Sequence, residues 1–332
     1  MMDVDLPRQM HVYRTRLGLQ VCADSREVLA LLPERSVDLI VTSPPFALLR
    51  QKSYGNEKQE DYVAWLTDFG RAALPVLKET GSFVLDLGGA YQRGKPVRSL
   101  HNFRVLLEFC DQVGYHLAEE FFWFNPAKLP SPIEWVNKRK IRVKDAVNTV
   151  WWFSKSENPK ANVRNVLTPY SERMRTLLAN PETFYRPKER PSGHDIGASF
   201  SRPNGGAIPP NLLQIPNTES NSHYLRCCGI LGRKPHPARF PAQLPRFFIQ
   251  FLTEPGDLVV DIFSGSNTTG RVAEELGRRW LSIELDRAYA SLSAIRFMEG
   301  WSDAAVRATI NRIEAGEATV IRRPGAHQVA LF

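Results

Sequence analysis

Residues 37–46, Val-Asp-Leu-Ile-Val-Thr-Ser-Pro-Pro-Phe, decide the fold of this chain. The apolar run 37–41 has the length and composition of a buried parallel strand. The residues that follow it stand at the strand's carboxyl end, where open α/β sheets bind their ligands. Two consecutive prolines fix two φ angles and remove two N–H donors, so the turn is stiff. The pattern predicts a rigid hook that presents the Ser43 hydroxyl, the Pro44 carbonyl and the Phe46 ring to a flat group bearing an –NH2.

Strands and helices alternate outward from this stretch. We expect strands near 11–13 and at 82–87, 115–123, 147–153, 258–262 and 280–283, and helices at 25–32, 60–78 (closed by Gly81), 103–113, 244–252, 270–276, 289–298 and 303–315. The rest of 1–20 is polar and predicts no regular element. The alternation predicts an α/β fold with a mostly parallel sheet. Periodicity fades in 154–235, so we predict α/β halves at 1–153 and 236–332 with an irregular insertion between them.

Composition favours a polyanionic partner. The chain has 332 residues, a net charge of +8 and a pI near 9.4, and a basic balance of this size favours nucleic acid over a neutral partner. Four cysteines without CxxC spacing predict reduced thiols and no metal site. Because we find neither a signal peptide nor an apolar run of membrane-spanning length, we expect a cytoplasmic protein that contacts no membrane.

A second motif, Asp-Ile-Phe-Ser-Gly-Ser-Asn-Thr-Thr-Gly at 261–270, lies between a predicted strand and a helix. Gly265 lets a ligand approach the backbone, and the helix N-terminus presents N–H groups. Glu284 ends the next strand, where a carboxylate can hold two ribose hydroxyls. Neither GxGxxG nor GxxxxGK[ST] is present, which favours a nucleoside without phosphates, such as S-adenosylmethionine. The predicted cofactor-binding residues of this region are Asp261, Phe263, Gly265, Ser266, Asn267, Thr268 and Glu284. A purely structural strand-to-helix turn is the alternative.

Two further residues are predicted at the edge of the cofactor site. Asp86 ends the strand at 82–87 and could contact the cofactor or a target base, or could cap neighbouring amides instead. Arg239, in the proline-rich run 236–241, could hold the methionine end of the cofactor. The alternative for Arg239 is a surface position.

The two motifs together, TSPPF followed by DIFSGSNTT, resemble the amino-methyltransferases of DNA, in their permuted β class. The resemblance covers nearly the whole chain. It implies a Rossmann-like sheet that binds S-adenosylmethionine, with the catalytic half first, a target-recognition region at 154–235 and the cofactor half last. Ile262 departs from the common proline, and Asn267 departs from the second glycine of the loop. Asn tolerates left-handed backbone, so we expect the loop to keep its shape.

Ser43 indicates the target atom. Enzymes of this class that act on adenine N6 usually carry Asp or Asn before the two prolines, so the resemblance implies cytosine N4. The stretches 124–155, 190–197 and 208–221 are similar to a cytosine-N4 member that acts within CAGCTG. This implies the same palindrome and a role in a restriction-modification system, while the existence of an endonuclease of the same site stays open. Because the two strands of a palindrome can be modified in separate events, we expect a monomer.

The predicted catalytic residues are Ser43, Pro44, Pro45 and Phe46. A base inside a duplex is inaccessible to a buried methyl donor, so the cytosine is expected to be flipped out. Phe46 would stack on the ring, while Ser43 and the Pro44 carbonyl would accept hydrogen bonds from N4. No cysteine follows a proline, as attack on C5 would require.

The predicted DNA-binding residues are Lys138, Arg139, Lys140, Arg142, Lys144, Arg190 and His194. A solvated charged surface is the alternative for the basic run 138–144. A structural loop histidine is the alternative for His194.

Two other functions stay open on the sequence alone: an adenine-N6 methyltransferase, and an inactive DNA-binding protein that keeps the fold.

Overall fold

The computed structural model describes residues 6–46, 61–181, 202–218 and 223–322. Within these ranges, nine strands form a single sheet in the order β1-β2-β9-β8-β3-β4-β6-β5-β7. The strands are β1 His11–Arg14, β2 Gly18–Cys22, β3 Val37–Thr42, β4 Leu77–Leu87, β5 His116–Phe124, β6 Val147–Ser154, β7 Leu212–Gln214, β8 Leu258–Asp261 and β9 Arg279–Glu284.

Most neighbouring strands run parallel, which confirms the predicted fold class. The central run β2-β9-β8-β3-β4 is parallel throughout. Strand β1 pairs antiparallel with β2, and β6 pairs antiparallel with both β4 and β5. Strand β3 is buried along its whole length and lies beside β8, with Leu39 opposite Val259. Because β3 and β8 are parallel, the ends of the two sequence motifs meet at one edge of the sheet.

Helices of the first part of the chain and of 223–322 cover both faces of this sheet. The helices of the described residues are α1 Ser25–Leu31, α2 Tyr62–Val76, α3 His101–Leu107, α4 Glu172–Ala179, α5 His223–Leu231, α6 Gln243–Leu252, α7 Thr268–Glu275, α8 Arg287–Ser293 and α9 Asp303–Glu314. One apolar cluster packs the sheet against α1 and α2, and a second packs it against α5 to α9. The sheet is therefore buried on both sides, as the continuous apolar strands predict.

Strand β2 shows that the prediction of irregular structure over 1–20 was wrong. Four of its five residues are buried, and it pairs with β9 in the interior of the sheet. A Cβ on Gly18 would lie 2.1 Å from the indole of Trp280, so this glycine lets the tryptophan pack on the strand. That contact joins residues far apart in sequence, and no local pattern could reveal it.

Gly81 does not close the helix before it, contrary to the prediction. Helix α2 ends at Val76, and β4 begins at the next residue and includes Gly81. The last helical carbonyls are satisfied from outside the helix. Arg35 N donates to Pro75 O, and Ser36 N donates to Val76 O. Because backbone amides of another segment cap this end, a glycine cap is not needed.

The predicted irregular region 154–235 contains regular elements: α4, β7 and α5. Its residues Ala161–Pro210 form a second compact unit, distinct from the unit of Met1–Lys160 and Asn211–Phe332. In the second unit, Thr168 and Ala207 form a β-bridge, and Ser171 caps α4. The domain borders at 153 and 235 stay a prediction.

No helix in the described ranges combines the length and the apolar character needed to cross a membrane.

Candidate active site

The two sequence motifs line one cavity of about 930 Å³ at the carboxyl edge of the sheet. The hook residues Ser43, Pro44, Pro45 and Phe46 form one part of its wall. The loop after β8 forms another part, through residues 262–266 and Thr268. The volume is within the range of small-molecule sites. One cavity therefore has room for a nucleoside and for a group held by the hook.

Ser43 belongs to a hydrogen-bonded chain with two other polar side chains. Its hydroxyl donates to Asp86 Oδ2 at 3.0 Å, and the amide of Asn148 donates to Asp86 Oδ1 at 3.1 Å. Burial raises the pKa of the Asp86 carboxyl to about 6, although both hydrogen bonds oppose the rise. All three residues line the cavity. The structure thus joins Asp86, predicted for cofactor binding, directly to the hook.

Phe46 is held by close contact with a glycine. A Cβ on Gly88 would lie 2.5 Å from Phe46 Cε2, so any side chain there would displace the ring. Gly88 follows β4, the strand that carries Asp86. The carboxyl end of β4 therefore provides a hydrogen-bond acceptor for Ser43, through Asp86, and a packing surface without a side chain for Phe46, through Gly88.

Glu284 lies beside the loop that contains Gly265. Its carboxylate accepts hydrogen bonds from Gly265 N at 2.8 Å and from Asp286 N at 2.9 Å. Burial raises the pKa of the Glu284 carboxyl to about 7. Gly265 has a φ of 50°, and a Cβ there would lie 2.9 Å from the ring of His236. The loop thus needs glycine for its conformation and for its packing.

Asp261 and Asn267, both predicted to bind the cofactor, lie beneath the cavity wall. Asp261 accepts hydrogen bonds from the hydroxyls of Thr42 and Thr269, each at 2.7 Å. Asn267 has a φ of 57° and caps α7 by accepting from Gly270 N at 2.9 Å. Neither is among the lining residues. Their contacts hold the loop, and Asn267 adopts the left-handed conformation expected of it.

Two arginines contribute to this part of the site. Arg239 lines the cavity and donates to the carbonyl of His236, while its buried Nε has no hydrogen-bond partner among the described residues. Arg296 is buried and donates to Ser266 O and Oγ, both at 2.7 Å. Burial lowers the pKa of the Arg296 guanidinium to about 10. Sequence reasoning missed Arg296, because it lies 30 residues from Ser266 on no recognisable motif.

Aromatic residues complete the cavity. Trp65 and Phe69 lie one turn apart on α2 and pack against Phe263, with ring centroids 5.6 and 4.8 Å away. Only Phe263 was predicted from sequence. The i, i+4 spacing of Trp65 and Phe69 was the available signal. Other lining residues that the sequence did not indicate include Trp123, Asn125, Lys128, Asn148 and Leu285.

The predicted basic residues 138–144 lie on an exposed loop between β5 and β6. Lys144 Nζ donates to Pro126 O at 3.1 Å, and Arg142 donates to Pro96 O at 2.7 Å. Lys138 forms an ion pair with Glu134 at 3.2 Å, while Arg139 lies over the ring of Trp135. Lys140 is exposed. The other two predicted DNA-binding residues, Arg190 and His194, fall outside the described residues.

No cluster of three or more His, Cys, Asp or Glu side chains suited to a metal occurs in the parts of the chain that the structure describes. The four cysteines are free thiols.

Comparison with known proteins gives a consistent result. Residues 37–295 match the family model described as DNA methylase. The type II methyltransferase M.PvuII of Proteus hauseri is 59% identical over 306 residues, which cover 92% of this chain and 91% of that protein. M.BglII of Bacillus subtilis is 24% identical over 281 residues, 84% of this chain and 68% of its own length.

Solved structures resemble the chain over nearly its whole length. The PvuII DNA methyltransferase (cytosine-N4-specific) superposes with a TM-score of 0.77 at 51% identity, covering 94% of this chain and 97% of that one. The modification methylase TTHA0409 of Thermus thermophilus, in complex with S-adenosyl-L-methionine, gives a TM-score of 0.51 at 21% identity, with coverages of 93% and 100%. The second likeness concerns the fold alone.

Proposed function

The chain belongs to the DNA methylase family, and we propose that it methylates the exocyclic N4 of a cytosine in double-stranded DNA, with S-adenosylmethionine as the methyl donor. The contact between Ser43 and Asp86 carries the proposal. It puts a hydroxyl, backed by a carboxylate with a raised pKa, on the wall of a nucleoside-sized cavity. Because the hydroxyl donates its proton to the carboxylate, its oxygen lone pairs can accept a hydrogen bond from the target amine.

The cofactor end of the cavity fits a nucleoside with an amino-acid tail. Gly265 allows close approach of the backbone, and Glu284 can accept hydrogen bonds from ribose hydroxyls. Arg239 has a buried Nε without a partner among the described residues and can meet the carboxylate of the methionine part. When bound, S-adenosylmethionine supplies an electrophilic sulfonium methyl group. We assign Phe263, Ser266 and Thr268, which also line the cavity, to the same site.

The hook end of the cavity is proposed to hold the flipped cytosine. Phe46 stacks on the ring, and the Ser43 hydroxyl and the Pro44 carbonyl accept the two N4 hydrogens. This directs the nitrogen lone pair toward the methyl carbon. Formation of the N–C bond would break the bond between the methyl carbon and sulfur, whose electron pair would return to the sulfur of the departing S-adenosylhomocysteine. N4 would release one proton, which Ser43 can take up while passing its own proton to Asp86. Alignment of this kind contributes roughly 7–11 kcal/mol in favourable cases, and proton transfer adds to it.

The finer points of the proposal are supported by the relative M.PvuII. At 59% identity over 92% of the chain, we propose the same target that the sequence implied, CAGCTG. We also propose that the protein protects DNA in the cytoplasm, at the nucleoid, against an endonuclease of the same site. It acts as a monomer, because the two strands of a palindrome can be modified in separate events.

The test is methylation of a plasmid that contains CAGCTG, with S-adenosylmethionine, followed by sequencing that maps N4-methylcytosine. We expect one modified cytosine on each strand of every CAGCTG and none in a matched plasmid whose sites are changed to CAGGTG. N6-methyladenine would assign the enzyme to the other target atom. Cofactor binding without methylation of any DNA would leave an inactive DNA-binding protein.

A further inference from the structure

Two large apolar side chains stand out on the surface of the described residues. Val143 is 85% exposed and Leu129 is 81% exposed, the highest values among the large exposed hydrophobics. Single exposed apolar residues are common and need no explanation. These two, however, share one basic loop, the connection between β5 and β6.

The loop is held by specific contacts near both residues. Lys144, next to Val143, donates to the carbonyls of Pro126 and Lys128, at 3.1 and 3.4 Å. Asp145 N donates to Ser131 O at 3.0 Å, and the Asp145 carboxylate forms an ion pair with Arg98 at 2.6 Å. The two legs of the loop are thus tied together. These contacts hold the loop in one conformation, and in that conformation Leu129 and Val143 are exposed.

Both residues lie beside the cavity. Asn125, Lys128 and Ala146, all on the two legs of the loop, line it. Leu129 follows Lys128 directly, and Val143 precedes the lysine that bonds to the Lys128 carbonyl. Leu129 and Val143 therefore lie close to the part of the cavity wall that Lys128 forms.

The charge of the loop matches a duplex. Residues 126–146 carry six basic side chains and two acidic ones. Phosphates are attracted by such a segment, and its contacts to them fix how the protein lies on DNA. Leu129 and Val143 each lie next to a basic residue. The apolar surface that they can contact on the same DNA is its stack of bases.

We propose that Leu129 and Val143 form an apolar wedge that enters the duplex and fills the gap left by the flipped cytosine. This rests on the proposed function. Flipping unpairs and unstacks a base, at a cost that is smaller for a base already unpaired. Apolar side chains inserted between base steps offset unstacking, as in proteins that kink DNA. The wedge would thus stabilise the open state of the duplex without touching the reacting atoms.

The experiment compares Leu129→Ala, Val143→Ala and the double variant with Val320→Ala as a matched control. Val320 is 53% exposed and bridges β1, at the opposite end of the strand order from β5. Each enzyme is assayed on a duplex with a paired target cytosine and on one whose target faces an abasic site. We expect the double variant to lose about tenfold or more in turnover on the paired target and less than about twofold on the unpaired one. Val320→Ala should match the wild type on both.

Fluorescence of 2-aminopurine placed next to the target gives a second readout that needs no methyl transfer. The wild type should raise the signal on binding, and the double variant should raise it less at saturating protein. Equal losses on paired and unpaired targets, or an unchanged fluorescence rise, would overturn the wedge. Failure of the wild type to methylate either duplex would instead count against the proposed function, and the fluorescence would still decide the wedge.

Discussion

The hydroxyl of Thr42 donates a 2.7 Å hydrogen bond to the carboxylate of Asp261, across 219 positions of the chain. Thr42 is the residue before Ser43, and Asp261 is the last residue of the strand that leads into the cofactor loop. The other carboxylate oxygen accepts from Thr269, in the first turn of α7. Burial raises the pKa of the Asp261 carboxyl to about 6. One side chain thus ties the hook, proposed to be catalytic, to the loop after β8, proposed to bind the cofactor.

Thr42→Val should disturb both halves of the site. Removing one hydroxyl from a buried hydrogen bond costs about 1–3 kcal/mol of stability, and we expect the free energy of unfolding to fall by that amount. The KM for S-adenosylmethionine should rise while kcat falls. Denaturant unfolding and steady-state kinetics check this. Thr269→Val, which touches only the cofactor side of Asp261, is the control and should spare kcat. An unchanged kcat in Thr42→Val would remove the proposed coupling.

Ser43→Ala should lower turnover far more than DNA binding. The hydroxyl contacts Asp86 and is proposed to contact the target amine, whereas no contact with phosphate is proposed for it, so kcat should fall by about 100-fold or more. The Kd for a CAGCTG duplex should change less than about threefold. Single-turnover methylation and a binding titration measure the two quantities. Ser36→Ala, on an exposed hydroxyl that donates to Pro33 O, is a control. Equal losses in both quantities would exclude the proposed role of Ser43.

Asp86→Asn should stabilise the protein and remove the carboxylate that we propose to accept the proton from Ser43. The folded pKa of about 6 lies above the usual 3.8, so the folded protein binds more protons between these values and wild-type stability falls as pH rises through them. Relative to wild type, the variant should gain up to about 3 kcal/mol between pH 4 and pH 7. Denaturant unfolding at several pH values tests this.

The same carboxyl predicts a pH dependence of activity. Because only ionised Asp86 accepts a proton, wild-type kcat should decline below about pH 6. The residual activity of Asp86→Asn should show no such decline. A variant as active as the wild type would mean that Asp86 has only a structural role.

Glu284→Gln should weaken binding of the nucleoside and flatten its pH dependence. Burial raises the pKa of Glu284 to about 7, so the carboxylate that we propose to accept hydrogen bonds from the ribose hydroxyls becomes protonated as pH falls below that value. Wild-type affinity for S-adenosylhomocysteine, measured by calorimetry, should therefore decrease from pH 8 to pH 6. The variant should bind about 10-fold more weakly at pH 8, the loss expected for hydrogen bonds to a charged group. Glu299→Gln, on a surface carboxylate paired with Arg271, should behave as wild type.

Replacing Lys138, Arg139 and Lys140 by alanine should reduce the salt dependence of DNA binding. Each phosphate contact contributes about 0.9 to the slope of log K against log salt. Loss of three contacts should lower the slope by up to about 2.7, with kcat on saturating DNA unchanged. Arg312→Ala, whose guanidinium pairs with Glu317, is a control on another surface. An identical slope would assign the basic run to a solvated surface.

Local patterns predicted most of the strands and helices and the two motifs, but missed α4, β7 and α5 in the region predicted to be irregular. Strand β3 and its diproline turn, and the glycine loop before α7, follow from rules of composition and steric restriction that act within about ten residues. Strand β2 was not predicted, because its packing depends on the contact between Gly18 and the distant Trp280. The end of α2 was misplaced, since backbone amides from another segment cap it.

The sequence by itself determined the fold class, the family resemblance and the identity of the hook, because these are written in short runs of residues with strong conformational preferences. Tertiary structure alone decided which groups act together. It joined Ser43 to Asp86 and Asn148, moved Asp261 and Asn267 beneath the wall, and brought Arg296 under the loop. The physical reason is that a parallel sheet brings the ends of strands distant in sequence to one edge, and hydrogen bonds between side chains there depend on register and burial, which no local pattern encodes.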